Sequence, residues 1–187
     1  MAVLVRIQEA LSARKRREDL PAIRELLALD GTSRLLDVGG SAGRVTSLLS
    51  SGAGRAVVLE PDGRKVAYGR SRRPRLEFVE GRAESIPFPE ASFDRVSAIV
   101  SFHHTDDPGR ALDEIRRVLV PGGRVVMHEM YPGQHAGILP RLVGRWLHGS
   151  SPHFLEPAHL GRSLEEHGFR DVVVRDGARG YTLAATR

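Results

Sequence analysis

The chain of 187 residues contains no cysteine. That excludes a disulfide framework, a zinc–thiolate site and a cysteine nucleophile together. Lysine is nearly absent too, with only Lys15 and Lys65. No stretch approaches the roughly 20 apolar residues that span a bilayer. The N-terminus, MAVLVRIQEALSARKRRE, lacks an uninterrupted apolar core and a small-residue cleavage site, so it does not read as a signal peptide. The expected compartment is the cytoplasm. Internal repeats, low-complexity tracts and Gly/Ser/Pro-rich linkers are also missing. One domain over 1–187 is therefore expected, with 1–19 as an N-terminal extension and enough chain to bury a real core.

What is present is ordinary in bulk: 41% hydrophobic and 27% charged residues. The net charge of +5 and pI near 10.3 raise the question of an anionic partner. Arginine carries almost all of that charge, and only RKRR (14–17) and RSRRPR (70–75) are dense. Scattered arginines fit a solvated surface better than a nucleic-acid face.

Short apolar runs alternate with helical patterns. PAIRELLAL is a helix opened by Pro21 and ended by Gly31, with Ile23, Leu26 and Leu27 on one face. RLLDV is a first strand, GRVTSLLSS a helix, RAVVLE a second strand, DGRKVAYGRS a helix and RLEFVEG a third strand. FDRVSAIVS is apolar enough to lie inside a sheet as a fourth strand. DPGRALDEIRRVLV is a helix with Asp107 as N-cap, and PGG turns the chain into a fifth strand, RVVMHEM. After the helix AHLGRSLEEHGF come RDVVVR, a five-residue turn DGARG and YTLAATR. The expected fold is α/β and Rossmann-like: a seven-stranded, mostly parallel sheet with helices on both faces and an antiparallel C-terminal strand.

The most informative stretch is LLDVGGSAG (35–43), where an aspartate ends a buried strand before a turn almost free of side chains. A tight structural turn, a dinucleotide site and a site for another adenosine-bearing cofactor all remain open. Gly39 and Gly43 would let a ligand approach the backbone closely. The third glycine of a dinucleotide fingerprint would fall at position 44, which is Arg44, and Asp37 suits an ammonium better than a pyrophosphate. Glu60 ends the second strand, about 20 residues past Gly39, where a carboxylate can accept from ribose hydroxyls.

With these, GRAESIPFPEASFDRV (81–96) and SFHHTDDPGRALDEIRRVLVPGG (101–123), the chain resembles the class I S-adenosylmethionine-dependent methyltransferases. More narrowly, it is similar to the branch that includes ubiquinone/menaquinone-biosynthesis enzymes. The resemblance implies S-adenosyl-L-methionine as cofactor. Asp37, Gly39 and Ser41 would line its methionine part, Glu60 would hold its ribose, and Ala83 and Glu84 would face its adenine edge, with Gly40, Gly43, Pro61 and Arg82 also among the cofactor-binding positions. Ser101, Phe102 and His103 would sit beside the sulfonium. Three positions depart from the pattern: Ser41 replaces a glycine, Arg82 an acid and Lys65 an apolar residue whose place its aliphatic stem can take.

The resemblance also implies the chemistry. A sulfonium methyl is already activated, so alignment and exclusion of water do most of the work, and a base matters only where the nucleophile must lose a proton. His103 is the first candidate base, with His128 and Glu129 behind it. The HHTDD segment reads as a cofactor-side loop, and no metal is expected. The segment 131–157 is long for a strand-to-helix connection. Within it, GILPRLVGRWLHG has helical apolar spacing around Trp146; a lid is the expected reading, beside an ordinary helix packed on the sheet and a membrane-surface helix. A small apolar or aromatic methyl acceptor is then a better expectation than a polymer. The other readings are a nucleic-acid-directed methyltransferase and a cofactor-binding protein without catalysis.

Overall fold

The computed structural model describes residues 18–131 and 155–187. The N-terminal extension up to residue 17, and the expected lid helix with Trp146, lie outside them.

Helix α1 (Leu20–Leu27) starts on Pro21, whose fixed φ suits a first turn, and buries Leu20, Ile23, Leu26 and Leu27. It ends three residues before Gly31: Ala28 adopts φ 45 and closes the helix by donating its N–H to Arg24 O. Strand β1 (Arg34–Val38), helix α2 (Arg44–Leu49), strand β2 (Arg55–Glu60) and helix α3 (Gly63–Arg72) follow. Next come β3 (Glu77–Glu80), β4 (Phe93–Ile99), a 3₁₀ turn at Phe102–His104 and helix α4 (Pro108–Val118). Asp107 caps α4 by accepting from the Arg110 amide, as its place before Pro108 anticipates.

Strand β5 (Leu119–Glu129) begins earlier than RVVMHEM. The PGG residues lie inside it, across a register shift opposite Phe93 and Arg95. Their peptides are held by the chain end: Gly122 N donates to Arg187 O (3.1 Å) and Arg187 N to Gly123 O (2.8 Å). Helix α5 (Pro157–Glu166) leads into β6 (Arg170–Gly177) and β7 (Gly180–Thr186). Gly177 pairs with Gly180, so the hairpin turn is the two residues Ala178 and Arg179 rather than five.

The seven strands form one sheet in the order β3-β2-β1-β4-β5-β7-β6. β1 to β5 are parallel, and β7 lies between β5 and β6, antiparallel to both. Alternate strand residues feed two apolar layers. One joins Leu36, Val96, Val125 and Leu183 to α4 and α5, and the other joins Leu35, Val58, Val126 and Ala184 to α1, α2 and α3. This is the expected Rossmann-like arrangement. Strand order reverses between β1 and β4, so the carboxyl ends of β1, β2, β4 and β5 face the crevice where such sheets bind ligands. Among the described residues no helix is long and apolar enough to cross a membrane.

Candidate functional site

The turn after β1 is built by contacts that leave no room for side chains. A Cβ on Gly39 (φ +71) would stand 2.5 Å from the Ser101 Cβ, and one on Gly43 (φ +80) 2.7 Å from the Phe78 ring. One on Gly40 would meet an Asp37 carboxylate oxygen at 2.6 Å. Gly39→Val therefore collides with Ser101 before it meets any ligand, so it does not isolate a cofactor contact. Ser41, at φ 55, takes the left-handed conformation that glycine adopts without strain. Its contribution is a backbone one: its amide donates to Glu60 Oε2 at 3.0 Å.

Asp37 lies deeper than a ligand-facing anion. It is 1% exposed, Ser97 Oγ donates to its Oδ1 at 2.7 Å, and Thr46 Oγ1 donates to its Oδ2. The carboxylate thus ties β1, β4 and α2 together beneath the turn. Ser97 is 60 positions away, and nothing in the local sequence marks it as the partner.

Glu60 is 4% exposed at the end of β2. Besides the Ser41 amide it accepts from the Asp62 amide (3.2 Å) and the Lys65 ammonium (3.2 Å). Lys65 thus turns its charge onto the carboxylate expected to hold a ribose. Pro61 is exposed between them. Asp62 caps α3, and the Arg64 side chain, helped by the Arg64 amide, holds its carboxyl down to about 2.

Arg82 pairs with Asp106, while Glu84 accepts the Asp106 amide at 2.7 Å, so the loops after β3 and β4 are stapled together. Ala83 is 8% exposed and belongs to the core. The acid that sequence reading found missing at position 82 therefore has a neighbour in space, Asp106, brought in by Arg82.

The loop after β4 converges on Glu129. Its Oε1 accepts the amides of Ser101 (3.1 Å) and Phe102 (2.8 Å), and its Oε2 lies 2.6 Å from His103 Nδ1. Ser101 Oγ donates to Val38 O at 2.6 Å, which fastens this loop to the glycine turn. Phe102 is a core side chain at 3% exposure, so any cofactor contact at that residue would come from its backbone. Val100, β-branched, is held at φ 53 immediately before the loop, a strained backbone next to the convergence point. Tyr181, opposite Glu129 on β7, stays protonated, because burial and then the Glu129 charge push its phenol far up.

His128 is brought elsewhere. One residue before Glu129, it points to the opposite face. There its Nδ1 meets Thr182 Oγ1 at 2.9 Å, and its Nε2 lies 3.6 Å from Asp19. At 1% exposure beneath α1 it is separated from His103 by the sheet. Asp19, which also accepts the Ala178 amide at 2.9 Å, and Thr182 are partners that sequence reading missed. Among the described residues no group of three or more His, Asp or Glu side chains could hold a metal ion.

The chain, with this geometry, can be set beside known proteins. Residues 36–127 match the family described as a methyltransferase domain. A demethylmenaquinone methyltransferase of Chlorobaculum tepidum is 30% identical over 178 residues, covering 89% of this chain and 71% of that protein. A ubiquinone/menaquinone biosynthesis C-methyltransferase of Hahella chejuensis is 35% identical over 104 residues, which are 51% of this chain and 42% of its relative. The chain thus spans less than half the length of that protein. A crystal structure of a SAM-dependent methyltransferase from Aquifex aeolicus aligns with TM-score 0.79 at 20% identity, covering 100% of this chain and 98% of that one; this shows the fold. The chain belongs to the class I S-adenosylmethionine-dependent methyltransferases, an enzyme family with S-adenosylmethionine as its cofactor.

Proposed function

We propose that this chain transfers the methyl group of S-adenosylmethionine to a small apolar or aromatic acceptor, with His103 as general base and Glu129 positioning it. The cradle fits the cofactor at three points. The glycine turn brings bare backbone to the crevice, Glu60 presents carboxylate oxygens beside it, and the stapled loops 82–84 and 101–106 border its far side. When bound, the cofactor supplies an activated methyl on sulfonium. Glu60 would hold its ribose, the backbone around Gly39 to Ser41 its amino-acid part, and Asp106 or Glu84 its adenine edge.

The observation that carries the reading is the His103–Glu129 contact of 2.6 Å between side chains each 4% exposed. In the neutral ring a proton on Nδ1, donated to the carboxylate, leaves the basic lone pair on Nε2. That nitrogen can take the acceptor's proton as the new bond to the methyl forms and the carbon–sulfur bond breaks. The Glu129–amide bonds fix the loop, so the base does not have to be ordered at each turnover. The C. tepidum relative is named for demethylmenaquinone, which supports an apolar ring-bearing acceptor.

The test is transfer of labelled methyl from S-adenosylmethionine to a panel of quinols and phenols. His103→Asn is expected to lower transfer by about 10²–10⁴-fold while cofactor affinity stays within twofold or so. Unchanged transfer by His103→Asn would remove the base. Absence of transfer to any acceptor, with the cofactor bound, would favour the reading in which the chain binds cofactor without catalysis.

A further inference from the structure

We propose that β6 is a homodimerisation strand: two copies of the chain pair their β6 edges antiparallel about a two-fold axis through Val173.

β6 ends the sheet, with β7 on one side and no strand on the other among the described residues. Alternate peptides of an edge strand direct N–H and C=O groups outward, ready for a further strand. Its apolar residues are uncovered as well: Val173 is 45% and Val174 43% exposed, the largest exposures among described bulky apolar side chains.

The sequence of the strand says which partner fits. Asp171-Val172-Val173-Val174-Arg175 reads as its own charge complement when run backwards. In an antiparallel pair centred on Val173, Val173 faces itself and Val172 faces Val174, while Asp171, at φ 54 in the bulge between Arg170 and Val173, lies at the end of the pair where Arg175 of the other copy comes. Asp171, Val173 and Arg175 line one shallow groove on the α1 side, so the charges that would pair share a face. Val172 lies on the other side, 3.7 Å from where a Gly161 Cβ would stand on α5. Registers slipped by one residue are disfavoured. A slip of one residue sets Arg170 against Arg175, or Asp171 against Asp176, and like charges directly opposite are destabilising.

The other edge of the sheet shows the contrast. β3 is four residues with a glutamate at each end, so self-pairing would oppose Glu77 to Glu80. That edge is protected by charge, whereas β6 carries charges that attract its own copy. The Arg175 guanidinium reaches Glu25 at 2.9 Å within its own chain yet remains 41% exposed, so it can also meet Asp171 of a second copy.

The absence of cysteine provides a clean test. Partners in an antiparallel pair have Cα atoms about 4.5–5.5 Å apart, within the span of a disulfide. Val173→Cys of the full chain, oxidised with copper–phenanthroline, is expected to give a disulfide-linked dimer. Val174→Cys, equally exposed but opposite Val172, should cross-link at least about tenfold more slowly. By sedimentation equilibrium the parent chain should rise with concentration from 20.5 kDa toward twice that mass. Arg175→Glu should weaken dimerisation about tenfold or more while melting temperature and S-adenosylhomocysteine binding hold. A chain monomeric at every concentration, equal cross-linking of the two cysteine variants, or full dimerisation of Arg175→Glu would each overturn the proposal.

Discussion

Lys65 and Glu60 show how single residues decide this site. The sequence places Glu60 correctly at the end of a strand, but not the ammonium that closes on it at 3.2 Å. In the proposed binding mode a ribose would share that carboxylate with Lys65. Lys65→Met leaves the Ser41 and Asp62 amides on Glu60 and removes the competing charge. Calorimetry should therefore show cofactor binding tightened by about 1 kcal/mol, roughly fivefold; weaker binding would mean that Lys65 itself contacts the ligand. Glu129→Gln is the sharper substitution. The amide oxygen can still accept from Ser101 and Phe102, but its nitrogen then faces His103 Nδ1 and donates to it. The ring proton moves to Nε2 and the base is lost without loss of the loop. Transfer should fall about 10²–10⁴-fold with fold and cofactor affinity retained. Near-normal transfer would show that no proton passes through His103. Such consequences were only partly legible. His103 and Glu129 stood out by type and position, whereas the Ser97 and Thr46 grip on Asp37 and the Asp19–His128–Thr182 cluster join residues distant in sequence, which no local spacing encodes.

At the level of elements, periodicity and turn residues announced every described helix and strand, and the departures fall at their ends. α1 closes at Ala28 because the αL position there is reached by an alanine rather than by Gly31. The PGG turn is absorbed into β5 because Arg187, the last residue, supplies the pairing that the turn peptides need. The hairpin is tighter because Gly177 and Gly180 can both flank a two-residue turn. Caps were more legible, since an N-cap acts within its own turn. Asp62 on α3 carries a testable pH dependence. Its carboxyl is lowered from 3.8 to about 2, first by the Arg64 side chain, so it binds its proton more weakly folded than unfolded. Its contribution is complete above pH 3.8 and is lost as pH falls toward 2. Asp62→Ala should cost about 1 kcal/mol at neutral pH and flatten the fall in melting temperature across that window. An unchanged acid profile would assign the loss to other carboxylates, Glu114 beside Arg117 among them.

For the whole molecule, the alternation of strands and helices and the closing hairpin together implied a mostly parallel sheet with a reversed last strand before any contact was known. They do so because a parallel sheet buried on both faces admits few topologies, and the hairpin reverses the last strand. The architecture then gathers Gly39, Glu60, His103, Asp106 and Glu129 around one crevice from four separate segments. The central claim is that this crevice binds an S-adenosyl cofactor. Isothermal titration of the full chain with S-adenosylhomocysteine, run beside NAD, tests it most directly. The expected result is micromolar affinity for S-adenosylhomocysteine, about −8 kcal/mol, with no heat from NAD. Glu60→Ala should weaken that binding by about 1–3 kcal/mol. No heat from S-adenosylhomocysteine, or saturable binding of NAD in its place, would contradict the claim.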